Sequence, residues 1–102
     1  MTKKPTATIP EMISEYRTYE SAGRTFAERS PCDIRADRMM CRMLDRCSKL
    51  ENRILATRAT TPSDLAAKRR FVECLSLDLH DMELVEIILK LDAAHLDRAA
   101  AR

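Results

Sequence analysis

With 102 residues, 45% of them hydrophobic and 33% charged, the chain is sized for one modest core and is too apolar for a disordered segment. Eighteen Lys and Arg against 16 Asp and Glu leave a net charge of +2, low for a protein dedicated to phosphate neutralisation. The single glycine, Gly23, excludes phosphate-cradling loops, nucleophile elbows and dinucleotide fingerprints, all of which need several glycines.

Residues 1–8 read as a polar, disordered tail that ends in a helix start. Thr8 and Glu11 form a capping box, with Pro10 tolerated in the first turn. Ile9, Met12, Ile13, Tyr16, Tyr19, Gly23 and Phe26 then recur every three or four residues, predicting a helix to about Arg29. In "SPCD", Ser30 as cap, Pro31 as first residue and Asp33 at the capping-box position predict a second helix from about Pro31 to Thr57. Its apolar face reads Ala36, Met40, Met43, Leu44, Cys47, Leu50 and Ile54.

"TPSD" repeats the start signal with Thr61 as cap and Pro62 first, and Pro62 stops the second helix from running through. The third helix turns Leu65, Phe71, Val72 and Leu75 inward. A break near Ser76 to Asp78 precedes a fourth helix from Leu79 to about Ala99, although one continuous helix is the alternative. Its stripe is Leu84, Val85, Ile88, Leu91 and His95, widened by Leu89 and Leu96. Together these elements predict an all-α fold: a compact antiparallel bundle of three to four helices, with a long second helix, forming a single domain over residues 9–100. The outer face of helix one or four is left available to a second copy, as in a homodimer.

Cys32, Cys41, Cys47 and Cys74 lack the paired spacing of a zinc clamp and are read as buried free thiols. His80 sits beside Asp78 and Asp81 at a helix start, where capping is the simpler role, and His95 falls on an apolar stripe as a half-buried core residue. Neither enzymatic activity, metal nor cofactor is expected.

The most pointed surface feature is a basic row on the second helix. Arg35, Arg38, Arg42, Arg46, Lys49 and Arg53 follow at spacings of three or four and share one face. Such a row tracks phosphates, meets an acidic protein surface, or is solvated and paired with Asp37, Asp45 and Glu51 on its own helix. Residues 1–58 carry 12 Lys and Arg against 8 acids, while residues 59–102 carry 6 against 8. The acids of the fourth helix, Asp81, Glu83, Glu86 and Asp92, offer the row a partner within the chain or a dimer. Tyr16, Tyr19 and Met39 are candidate exposed anchors for a protein interface. Lys68, Arg69 and Arg70 form a secondary basic patch on the third helix. The long preceding helix and the proline corner argue against a helix-turn-helix reader there.

"ILATRATTPSDLAAKRRFVECL" (residues 54–75) resembles a pattern in small, mostly uncharacterised helical proteins of alphaproteobacteria, especially rhizobia, which occur on mobile or phage-like elements. Leu55, Ala59, Thr60, Thr61, Leu65 and Ala66 carry the likeness, together with "DLHDMELVEIILKL"; Thr57 stands where an alanine is expected. A few similar proteins are antiactivators that sequester transcriptional activators. The resemblance implies a cytoplasmic protein-binding module in transcription regulation, with a transcriptional regulator as partner. The competing expectation is a nucleic-acid-binding accessory protein that sets the arginine row on phosphates. No apolar run is long enough for a transmembrane helix, and "MTKKPTATIPEM" lacks the apolar core of a secretory signal.

Overall fold

Thr8 opens the first helix by hydrogen-bond accounting. Its Oγ1 accepts the Glu11 amide at 3.2 Å, so the predicted N-cap forms, and it donates to the Glu11 carboxylate at 3.0 Å, which thus meets the Thr8 hydroxyl in place of the Thr8 amide that a full capping box uses. Thr8 therefore belongs to the helix start and not to a tail. The computed structural model describes residues 7–75 and 77–101, so residues 1–6 of the predicted tail, and Ser76, lie outside the described residues. The described residues form α1 (Ile9–Arg29), a 3₁₀ turn (Ser30–Cys32), α2 (Ile34–Ala56), α3 (Pro62–Glu73) and α4 (Leu79–Ala100), with no strand among them. The fold is all-α. The chain divides into two compact units, Met1–Ile54 and Leu55–Arg102.

The first unit is a helical hairpin. Pro31 does not start α2 as predicted: it sits in the 3₁₀ turn, and Asp33, extended at φ −146°, ψ 110°, takes the capping role. The Asp33 carboxylate accepts the Arg35 amide at 2.9 Å, and its carbonyl accepts the Asp37 amide. Tyr16 meets Cys47, Tyr19 meets Arg46 and Gly23 lies against Met43, so residue numbers fall along α2 as they rise along α1. The two helices run antiparallel. Gly23 packs directly on Met43: a Cβ there would stand 3.4 Å from that of Met43, at the edge of ordinary van der Waals contact. Ile9, Met12, Ile13, Ala36, Met43, Cys47, Leu50 and Ile54 are buried, whereas Tyr16, Tyr19, Phe26 and Met40 are half-buried. Leu44, predicted for the core, is 54% exposed because it falls at the edge of the α2 arc that faces inward.

In the second unit the "ATTPSD" corner has a local explanation. Ala59 is fully buried, the Thr60 hydroxyl donates to the Asp64 carboxylate at 3.4 Å, and Thr61 Oγ1 accepts the Asp64 amide at 3.1 Å. Thr61, Pro62 and Asp64 thus take the predicted cap, first and third positions. Asp78 likewise caps α4, accepting the Asp81 amide at 2.8 Å, which places the predicted break and separates α3 from α4. Leu65, Phe71 and Val85 are buried, and Val72, Leu75, Ile88, Leu89 and Leu96 are half-buried. Two predicted core residues of α4 are not covered: Leu84 is 49% and Leu91 59% exposed. α3 spans 12 residues and covers one side of a helix whose apolar arc is wider than that side.

The largest departure from expectation lies between α3 and α4. Lys68, predicted as part of a basic surface patch, has 0% exposure. Its ammonium donates to Asp92 Oδ2 at 2.7 Å and to the Thr57 carbonyl at 2.9 Å. Asp92 is 4% exposed, so it cannot serve the arginine row either. A lysine stem is long and apolar, and its charged head tolerates burial only with partners of this kind.

Breaking that pair strands one buried charge. Lys68→Met or Asp92→Leu alone should destabilise by about 3–5 kcal/mol, and the double variant should recover most of the loss. Urea unfolding followed by circular dichroism measures all three.

Candidate functional site

All six basic residues of the α2 row are exposed, as a binding role requires. Their pairing differs along the row. Lys49 pairs with Asp45 at 3.1 Å, a surface contact worth no more than about 0.5 kcal/mol. Asp37 accepts the Ser30 hydroxyl at 2.8 Å and Asp33 is engaged as a cap, so neither forms an ion pair with the row. Arg35, Arg38 and Arg42 have no ion-pair partner among the described residues; the nearest polar contact of Arg42 is a weak one to Met39 Sδ at 4.0 Å.

Arg46 differs from the others. Its guanidinium carbon stands 5.2 Å from the centre of the Tyr19 ring, and Nη1 donates to the Tyr19 hydroxyl at 3.3 Å. A guanidinium stacked on an aromatic face gains about 0.5–1 kcal/mol at an exposed site. It also loses less rotamer freedom on meeting a partner, since its orientation is already set. Tyr19, Arg46, Arg42 and Met39 thus make a continuous surface of aromatic, cationic and thioether groups across α1 and α2. Tyr16, Tyr19 and Met39 are half-buried rather than freely exposed. Burial pushes the Tyr16 phenol pKa above its ordinary value, with Glu20 and Glu51 adding to the effect.

The second unit keeps only Arg69 and Arg70 of its predicted patch, both exposed. The second unit has three further surface features, of which the two cavities escape the sequence reading. Arg58, His95, Arg98 and Ala99 line an open cavity of about 280 Å³. A second cavity of about 300 Å³ is lined by the apolar Val72, Leu75, Leu77, Met82, Val85 and Leu89, with Glu73 and Glu86 on its wall. The third is the uncovered side of α4, where Leu84, Ile87 and Leu91 are each about half exposed. The apolar arc of α4, too wide for one neighbour, is the signal that pointed to this side.

Among the described residues no group of three or more His, Cys, Asp or Glu is placed to hold a metal ion. His80 is exposed beside the capping Asp78, and His95 is half-buried. No described helix is long and apolar enough to cross a membrane. Of the four free cysteines only Cys47 is buried; Cys32, Cys41 and Cys74 are exposed, which corrects the expectation of four buried thiols. Cys32 lies in the 3₁₀ turn, Cys41 on the outer side of α2 and Cys74 at the end of α3, where no neighbour covers them.

Burial raises the Cys47 thiol pKa, again with Glu20 and Glu51 contributing, so less thiolate forms at a given pH. Alkylation at pH 8 should therefore label Cys32, Cys41 and Cys74 at least about tenfold faster than Cys47, and unfolding in urea should abolish the difference. Because the folded thiol holds its proton more tightly, its contribution to stability is complete below the usual thiol pKa of about 8.5 and is lost as pH rises above it. Peptide mass spectrometry reads the labelling order.

No family model, curated protein or solved structure matches this chain.

Proposed function

We propose that the protein is a small regulatory protein-binding module that sets the surface formed by Tyr19, Arg46, Arg42 and Met39 against an acidic face of a partner. The observation that carries this reading is the Arg46–Tyr19 stack beside Arg42, which has no ion-pair partner among the described residues. Arginine and tyrosine are the side chains from which interface hot spots are most often built, and here they are held together before any partner arrives. The resemblance of the Ala59–Thr61 corner and the final leucine-rich helix to small alphaproteobacterial proteins supports the finer reading: an antiactivator-like role on a transcriptional regulator. Four free thiols suit a reducing compartment, so the proposal places this action in the cytoplasm. Binding alone, without a catalytic step, is the activity proposed.

A second reading is favoured by the exposure of Arg35, Arg38 and Arg42 along one side of α2, which suits contact with nucleic-acid phosphates. The low net charge of +2 weighs against it.

Capture of the tagged protein's partner from its source cells, after nuclease digestion, separates the two. The protein-binding reading expects capture to survive nuclease and Tyr19→Ala to weaken it about tenfold or more, beyond the effect of Arg35→Ala. If capture vanishes with nuclease, the phosphate reading replaces it. Affinity should then fall with salt at a log–log slope of about −2.7 for three duplex phosphate contacts, and Arg42→Ala should reduce that slope by about 1.

A further inference from the structure

α4 carries two apolar seams, of which its own unit occupies one. Val85, Leu89, Asp92 and Leu96, at spacings of four, three and four, face α3: Val85 and Asp92 are buried, and Asp92 holds the α3 residue Lys68. On the adjoining side Leu84, Ile87 and Leu91 are 49%, 55% and 59% exposed. With His80, Ala94 and Arg98 they continue a strict four-three-four-three-four spacing. That is the seven-residue repeat of a helix paired with another helix, with branched apolar side chains over about two turns. A solvated face gives no reason for such a repeat, and three contiguous uncovered aliphatic residues are a contact patch rather than scattered exposure.

We propose that this seam pairs with the same seam of a second copy, antiparallel about a two-fold axis, to give a weak homodimer. The flanking charges select both occupant and register. Glu83 and Lys90 border the seam, both are exposed, and neither has an ion-pair partner among the described residues. In the antiparallel register that packs Leu84 on Ile87 of the second copy, Glu83 faces Lys90 of the second copy, and the two-fold axis repeats the pair. Sliding by one heptad puts Glu83 against Asp97 and Lys90 against Lys90, which repel. A parallel pairing puts Glu83 beside Ile88 and Lys90 beside His95, with no opposite-charge contact. One arrangement alone satisfies the charges, and it is self-complementary, as a two-fold interface must be. The seam is short, so the dissociation constant falls in the micromolar range. This interface uses none of the α2 arginines and stands or falls separately from the proposed partner surface.

Sedimentation equilibrium of the full chain, from about 5 to 500 µM, tests it. The wild type should shift from monomer to dimer across that range, and Leu84→Glu should stay monomeric with unchanged helix content, because the position is half exposed. Glu83→Lys and Lys90→Glu should each raise the dissociation constant about tenfold, by turning both pairs into like-charge contacts. The double exchange Glu83→Lys/Lys90→Glu should return it to within about threefold of wild type, since it restores the pairs in reverse. A wild type that stays monomeric throughout overturns the proposal, and so do a double exchange as weak as the single variants or a dimer that survives Leu84→Glu.

Discussion

An ammonium group sealed from water must be given its partners by the protein, and the second unit is organised around that constraint. Lys68 lies on α3, Asp92 on α4 and Thr57 in the segment that leads into the corner; one side chain ties all three stretches together. The alternative is a charge in an apolar interior, whose desolvation exceeds what hydrophobic contact returns. Register follows from it. With Asp92 opposite Lys68, Val85 and Leu89 fall toward Val72, and α4 has one rotational setting against α3. That setting leaves Leu84, Ile87 and Leu91 on the outside.

The first unit is governed by apolar packing instead of charge. Gly23 lies against Met43, the buried Cys47 lies beside the Tyr16 carbonyl, and Tyr19 is then positioned beneath Arg46. Packing thus decides which arginines are held and which extend into solvent. The cationic surface and the apolar seam consequently sit on different units, and each is produced by how its own hairpin packs.

What was legible in the sequence was local. Thr8, Thr61 and Asp78 are read as caps from residues three positions away, and all three form those bonds because capping is short-range chemistry. Asp33 misled for an equally local reason: Pro31 suits a 3₁₀ turn as well as a helix start, and two residues decide between them. The α2 row was legible as a shared face, since helical periodicity alone determines it. Lys68 was not, because its burial depends on Asp92, 24 positions along the chain, and a "KRR" run looks the same whether its first residue points in or out. Leu84 and Leu91 were misassigned because periodicity identifies an apolar arc but not how much of it a neighbour covers.

The inward lysine also limits the basic patch of α3 to Arg69 and Arg70. Proton exchange of the lysine side-chain ammonium groups, followed by nitrogen-15 NMR, addresses this central point most directly. The account predicts that the Lys68 ammonium persists as a slowly exchanging signal, protected far beyond those of Lys49 and Lys90, with a coupling to the Asp92 carboxylate. A Lys68 signal that exchanges with water as fast as those two would contradict it, and would return Lys68 to the surface.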